Sequence, residues 1–377
     1  MRIFLISEAK SLETNATSSH IMIANLLRGL RKDKAQISFF VICEEILNKE
    51  EIVQSFIELA DEVYVLKSFY GIATGKYKRM WKMLKSCGTI KKYDQEFREI
   101  HLEQKPDLMI SHCPSYEAIP YSRALKKIYP DVPFYQYWSD PIALSGITPE
   151  AYNYKRWIFS FMEKRAFKYA DKIIFGTKTL MDVQKKMYPK FAEKMSYVDV
   201  AYGEKEIIQQ TTYKQEFLYA GGYYSNIRNI LPLCEAVQET EGIALDVYGN
   251  GDVSLEGYRG VTSYDRVSPT VMKETEKQYK NVVCILNHSC VQIPGKLFYD
   301  MYSDKNILVI TDGPYGNEIG EYLKTYKRFH FCENKKEAII TALKQMQNME
   351  HFKDKKYIQE NFSPQKVAND LVNGGLL

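Results

Sequence analysis

Val291-Gln292-Ile293-Pro294-Gly295-Lys296-Leu297-Phe298-Tyr299-Asp300 lies between two apolar runs, Val282-Val283-Cys284-Ile285-Leu286 and Ile307-Leu308-Val309-Ile310. Each run reads as a buried strand, and the Pro-Gly pair opens a helix between them. A helix that starts at the carboxyl end of a parallel strand presents unpaired backbone N–H groups and the positive end of its dipole. Such a place suits a phosphate, and Lys296 puts a full positive charge on the first turn. The plainer reading is a loop that merely starts a helix, since Pro-Gly pairs are common there. The rest of the chain bears on the choice.

Upstream of this unit the same pattern occurs twice more. Phe217-Leu218-Tyr219 reads as a strand, Gly221-Gly222 as a tight turn and Asn229–Val237 as a helix. Ala244–Tyr248 is the next strand, followed by the turn Gly249-Asn250-Gly251 and a helix near Pro269–Lys280. The first half alternates likewise, with strands at Ile3–Ile6, Ile37–Ile42, Val63–Leu66, Leu108–Ile110, Phe134–Tyr137 and Ile173–Phe175. Helical patterns fall between them at Ser19–Leu30, Tyr116–Tyr129 and Tyr154–Tyr169. Short strands separated by helices call for right-handed crossovers and a parallel sheet covered on both faces. The restart in mid-chain calls for a second doubly wound domain, and the polar stretch from Tyr202 to Gln215 is the expected linker. The expectation is two Rossmann-like α/β domains, 1–202 and 203–362, facing across a cleft, with ligands at the carboxyl ends of the strands.

Composition sets outer bounds. A chain of 377 residues with 45% apolar and 26% charged residues suits two folded domains. A formal charge of +4 is too small to imply nucleic acid, and no nucleic-acid partner is expected. The seven cysteines include no C-x-x-C pair and the six histidines show no metal-ligand spacing, so reduced thiols, a cytoplasmic location and no metal are expected. The first residues do not form a signal peptide, and no apolar run reaches the ~20 residues of a membrane span.

Tyr219-Ala220-Gly221-Gly222-Tyr223-Tyr224-Ser225-Asn226-Ile227-Arg228-Asn229 is the second informative segment. Glycines after a strand let a ligand approach the backbone, and Arg228 falls near the next helix start. A guanidinium there grips two phosphate oxygens at once. Together with Lys296 it makes a two-pronged diphosphate site.

At these residues the chain resembles the GT-B glycosyltransferases, in particular retaining family-four enzymes of bacterial polysaccharide biosynthesis. Gly221-Gly222 through Arg228-Asn229 looks like that family's glycine loop and phosphate-binding arginine. Pro294-Gly295-Lys296-Leu297-Phe298 looks like its P-x-K segment, and Glu163 through Ile174 resembles the stretch that closes the first domain. Ser363 to Leu371 resembles the terminal helix, so the resemblance implies that 363–377 crosses back to join the first domain. Many members carry an E-x7-E pair that holds ribose and sugar; aligned on Lys296, those positions hold Tyr299 and Val291, with Asp300 one place later. The nucleoside and sugar contacts are therefore expected from Gly295, Tyr299 and Asp300, with Asp300 taking the ribose if the helix start shifts by one residue. The family's amino-terminal glycine pair is also missing, with Ser18-Ser19 in its region.

On the acceptor side, Asp140 ends the strand Phe134–Tyr137 where it could orient a hydroxyl or take its proton, and His112 stands similarly after Leu108–Ile110. Either is equally readable as a loop anchor, Asp before Pro being a common turn former. From Val63 through Tyr93 there is no acid, while Lys78, Arg79, Lys82 and Lys85 are interleaved with aromatic and long apolar residues. That pattern suits an anionic membrane surface, each cation contributing ~1 kcal/mol, or else a solvated helix.

These readings converge on an inner-face transferase, peripheral on the membrane. It would move a sugar from a nucleotide diphosphate donor, a UDP-sugar favoured, to a glycan or lipid-linked glycan acceptor. The resemblance implies retention at the anomeric carbon, and Arg228 and Lys296 would supply the positive charge the leaving diphosphate requires without a divalent ion or other cofactor. The rivals are a nucleotide-sugar epimerase of the same fold and a non-catalytic glycan-binding protein on a transferase scaffold.

Overall fold

The computed structural model describes residues 1–9, 18–43, 48–69, 90–100, 102, 104–113, 117–144, 153–203 and 214–377. The chain divides into two compact units, Met1–Ala201 with Phe362–Leu377, and Tyr202–Asn361. Lys78, Arg79, Lys82 and Lys85 lie outside the described residues.

The first unit runs β1 (Arg2–Glu8), α1 (Ser18–Lys32), β2 (Gln36–Cys43), α2 (Lys49–Phe56), β3 (Glu62–Lys67), α3 (Lys91–Glu99) and β4 (Leu108–Cys113). It continues with α4 (Ala118–Ile128), β5 (Phe134–Trp138), α5 (Asn153–Phe167), β6 (Lys172–Phe175), α6 (Lys178–Met187), a 3-10 turn over Pro189–Lys194 and β7 (Met195–Tyr197). Every strand pair is parallel, in the order β3-β2-β1-β4-β5-β6-β7.

Side chains of a strand alternate between faces, and here both faces are apolar. Ile3 and Leu5 of β1, Phe39 and Val41 of β2 and Ile110 of β4 point to one face, where Leu27 of α1 and Phe56 of α2 cover them. Phe4, Ile6, Phe40, Ile42 and Met109 point to the other, under Tyr93 and Phe97 of α3 and Tyr121 and Leu125 of α4. Burial of each such side chain stabilises by roughly 1.5–3 kcal/mol, which drives the apolar runs into the middle of the sheet.

The second unit runs β8 (Lys214–Ala220), α7 (Leu231–Glu239), β9 (Leu245–Tyr248), β10 (Val261–Tyr264), α8 (Pro269–Glu276) and β11 (Tyr279–Ile285). Then come α9 (Gly295–Asp300), β12 (Asn306–Thr311), α10 (Gly316–Lys324), β13 (His330–Glu333), α11 (Lys336–Gln347) and α12 (Lys356–Phe362). Its strands are also all parallel, in the order β10-β9-β8-β11-β12-β13. Both units are thus doubly wound Rossmann-like α/β sheets. The turn after β9 lies against the glycine loop after β8: a Cβ on Gly249, whose φ is +154°, would stand 2.0 Å from the Gly221 carbonyl oxygen.

Three strands without an apolar run complete the sheets, β7, β10 and β13, and all three are at an edge. An edge strand has only one neighbour, and β10 keeps Thr262, Ser263 and Tyr264 exposed, so it needs no continuous apolar sequence. The helix expected to reach Lys280 ends at Glu276, and β11 starts at Tyr279. At α7 the Asn229 side chain accepts the Leu231 N–H at 3.2 Å, so the helix starts after Asn229 and not on it.

The last helix, α13 (Pro364–Val372), is capped by Ser363, whose hydroxyl accepts the Lys366 N–H. It belongs to the first unit and packs on α1. Gly29 makes that approach possible: a Cβ there would stand 2.0 Å from the Pro364 carbonyl oxygen and 2.8 Å from the Ala368 Cβ. Ala in place of Gly in a helix gains about 1 kcal/mol in propensity, but overpacking against a backbone carbonyl costs about 1–3 kcal/mol. Gly29→Ala should therefore lower the midpoint of chemical denaturation; a raised midpoint would mean that α13 does not press on α1 in this way.

Candidate functional site

In an open parallel sheet the loops leave to opposite faces where the strand order reverses, and ligands bind at the carboxyl ends beside that point. In the second unit the reversal lies between β8 and β11. Gly221 and Gly222 leave β8 there, and Leu286-Asn287-His288 leaves β11. Arg228 reaches across: its Nε donates to Asn287 Oδ1 at 2.7 Å, and Asn287 Nδ2 donates to the Gln292 carbonyl at 2.7 Å. The His288 N–H donates to the Ile227 carbonyl at 2.7 Å and ties the two loops by backbone as well.

The Arg228 guanidinium is therefore fixed at Nε by Asn287 and also meets the Tyr219 hydroxyl, with Nη1 3.8 Å from where a Gly221 Cβ would stand. The Tyr219 hydroxyl under this loop donates to the Gly222 carbonyl at 2.9 Å. Burial pushes the Tyr219 phenol well up, and Arg228 beside it pulls the other way.

Pro294 caps α9 without a side-chain bond, so Gly295 opens the helix and Lys296 follows it. Lys296 Nζ donates to Glu276 Oε1 of α8 at 2.5 Å, an ion pair in which the lysine side chain is one-third exposed and the glutamate nearly buried. Arg228 and Lys296 both lie within electrostatic reach of Cys284 of β11. Burial pushes that thiol up to about 11, against the pull of the two cations, and Asp300 adds to the rise. Tyr299 and Asp300 are buried at the end of α9. Tyr299 packs at Gly203, where a Cβ would come within 3.3 Å of its own. Asp300 lies within electrostatic reach of Arg328, whose guanidinium donates to the carbonyls of Met301, Ser303 and Lys305 just beyond α9.

Sequence reasoning did not single out Asn287, Glu276 or the pair His288 Nδ1···Asp312 Oδ1 at 3.0 Å. The signal for Asn287 was present: it is the first polar residue after the apolar run of β11, hence at the carboxyl end. Nothing local marks Glu276 as the partner of a lysine twenty residues later.

In the first unit the reversal lies between β1 and β4, and His112 bridges it. Its Nδ1 is 3.0 Å from Ser7 Oγ at the end of β1, and its Nε2 is 3.1 Å from Ser139 Oγ after β5. Ser139 Oγ also lies 3.3 Å from Asp140 Oδ2, so Ser7, His112, Ser139 and Asp140 form one chain along the carboxyl edge. Burial, helped by nearby His20, lowers the His112 pKa to about 3. The loop after Asp140 is held by Glu163 of α5, whose Oε1 accepts the N–H groups of Ile142 at 2.7 Å and Ala143 at 3.1 Å and whose other oxygen accepts the Tyr188 hydroxyl. Burial raises the Glu163 pKa despite these three donors. Glu117 accepts from Ser68 Oγ and the Phe69 N–H, and burial raises it too.

Among the described residues no three His, Cys, Asp or Glu side chains meet in a way that could hold a metal ion. No described helix is long and apolar enough to cross a membrane.

No protein-family model and no curated protein matches the chain at the level of sequence. Solved structures do match its fold. UDP-GlcNAc 2-epimerase from Neisseria meningitidis, bound to UDP-GlcNAc, is similar with a TM-score of 0.53 and 11% identity over 99% of both chains. Anabaena HepE, in complex with UDP and glucose, gives 0.59 and 8% identity over 99% of this chain and 98% of that one. The glycotransferase of kitacinnamycin gives 0.54 and 10% identity with the same coverage. The chain thus has the two-domain GT-B type of fold found in enzymes of UDP-sugars.

The His112 geometry has a consequence for stability. The unfolded histidine takes up a proton near pH 6.5, whereas the folded one does so only near pH 3. Between those values the unfolded state binds more protons, so stability falls as pH drops through that window. His112→Gln should flatten the loss of denaturation free energy between pH 7 and pH 5, measured in urea; an unchanged slope would mean that His112 is not buried in its neutral form.

Proposed function

We propose that this protein is a glycosyltransferase that moves a sugar from a nucleotide diphosphate sugar, with UDP as the nucleotide, to a glycan or lipid-linked glycan acceptor at a membrane surface. One observation carries the reading: Arg228, anchored through Nε by Asn287, is presented at the reversal point of the second sheet beside the Gly221-Gly222 loop. A guanidinium has five N–H donors; with Nε on Asn287 and one contact to Tyr219, Arg228 still has terminal N–H groups for the paired oxygens of a diphosphate. Lys296 gives one of its three N–H donors to Glu276, and the others can meet the same ligand. The UDP bound in Anabaena HepE and the UDP-GlcNAc bound in the Neisseria epimerase support a uridine nucleotide as donor.

As the bond to the sugar breaks, negative charge grows on the leaving diphosphate, and Arg228 and Lys296 stabilise it. The acceptor hydroxyl attacks from the face the diphosphate leaves and passes its proton to the departing diphosphate oxygen, which retains the anomeric configuration. Tyr299 and Asp300 serve the nucleoside and sugar. Asp140, its loop held by Glu163, orients the acceptor hydroxyl, and His112 keeps Ser139 in place beside it. Polysaccharide assembly on the inner face of a membrane is the setting this chemistry suits.

The epimerase reading draws on the epimerase neighbours. Interconverting two sugars requires an acid and a base free to act on a ring carbon. The buried acids Glu117 and Glu163 are already taken by protein donors, which favours transfer. Incubation with UDP-sugars separates the readings: transfer, or slow hydrolysis without acceptor, releases UDP, whereas epimerisation yields a second UDP-sugar.

Removing one stabilising donor of a developing charge typically lowers turnover ~10²–10³-fold. Arg228→Ala should do so with the thermal midpoint unchanged, and Asn287→Ala should have a smaller effect in the same direction. Full turnover in Arg228→Ala would remove the proposed donor site.

A further inference from the structure

The outer face of α5 is apolar and cationic at once. Trp157 is 72% exposed and Phe161 is 45% exposed, and their rings stack with centroids 6.3 Å apart at 19°. The two stand one helical turn apart, and Lys164 falls on the same face a turn further along. Met162, Glu163 and Ala166 on the opposite side are buried. Arg156 and Lys168 flank the outer face and are exposed. From Asn153 to Ala170 there are five cations and one acid. That acid is Glu163, which is 0% exposed and turned inward onto the Ile142 and Ala143 N–H groups. No carboxylate of this segment thus neutralises the face; the next acid, exposed Asp171, is held by Lys126 at 3.1 Å and by the Phe134 N–H at 2.8 Å. Lys164 is exposed, with its Nζ 5.7 Å from the centre of the Tyr188 ring.

A large indole left in water is unfavourable, and stacking on Phe161 covers only part of it. Tryptophan with its ring flanked by Lys and Arg is the composition that favours the water–lipid boundary, the ring entering the headgroup layer and the cations meeting anionic lipid. We propose that this face of α5 is an interfacial anchor that docks the protein on an anionic lipid bilayer, with Trp157 and Phe161 entering the headgroup region. This surface belongs to the first unit, whereas Arg228 and Lys296 belong to the second. Docking through it stands or falls independently of which sugar is transferred.

The chain has three tryptophans, and Trp138 is fully buried, so in a Trp81→Phe background the accessible emission is that of Trp157. With vesicles of phosphatidylglycerol and phosphatidylethanolamine carrying brominated acyl chains, that emission should shift to shorter wavelength and be quenched. High salt should weaken the effect, and phosphatidylcholine vesicles should bind far less. Trp157→Ser with Phe161→Ser should lower the fraction sedimenting with anionic vesicles at least ~10-fold, at an unchanged thermal midpoint because both side chains face outward. Arg156→Glu with Lys164→Glu should act in the same direction and checks the result by a different route. Unquenched emission, equal binding to phosphatidylcholine, or equal sedimentation of wild type and both variants would overturn the proposal. So would a concentration-dependent dimer, seen by sedimentation velocity without vesicle binding and lost in the Trp157→Ser, Phe161→Ser variant, which would assign the face to a second copy of this chain.

Discussion

Each sheet reverses its winding between its first and fourth strands, β1 and β4 in one unit and β8 and β11 in the other. A parallel sheet buried on both faces leaves polar chemistry nowhere to go except the strand ends, and at the reversal two carboxyl ends part without a helix between them. In this protein each reversal is spanned by side-chain hydrogen bonds. Ser7 and His112 join β1 to β4, and Arg228 reaches from the β8 loop to Asn287 after β11. The two spans differ in chemistry. The first is neutral and sealed, with both imidazole nitrogens engaged and the ring held uncharged by burial. The second is cationic, and part of its guanidinium remains to be used.

That difference assigns different work to the two units. A fixed cation beside a glycine loop suits a multiply charged ligand, because it need not reorganise when charge develops. A buried neutral histidine suits positioning: it fixes Ser139, next to Asp140, while Glu163 fixes the loop beyond. Lys296 stands between these cases, since Glu276 already compensates its charge. Glu276 is nearly buried, so Lys296 would keep this pair and meet a phosphate with its remaining N–H donors.

Much of the fold was legible because burial on both faces demands apolar runs, and those of β1, β2, β4, β5, β8, β11 and β12 are unmistakable. The edge strands β7, β10 and β13 were not legible, since one partner and partial exposure impose no such run; β3, also at an edge, was readable only because Val63-Tyr64-Val65-Leu66 happens to be apolar. In the site, Arg228 and Lys296 could be read from their places after glycines and at a helix start. Their partners Asn287 and Glu276 could not, because a side-chain bond between distant elements leaves no periodic trace. The position of Tyr299 and Asp300 on α9 also depended on where a helix of six residues begins, which pattern fixes only to within a residue or two.

The central claim is that the second unit binds the diphosphate of a nucleotide through Arg228. Isothermal titration of the intact protein with UDP and with UMP tests it most directly. The account predicts that UDP binds far more tightly than UMP and that Arg228→Ala erases the difference between them. Equal affinity for the two nucleotides in the wild-type protein, or a preference for UDP that survives Arg228→Ala, would contradict it.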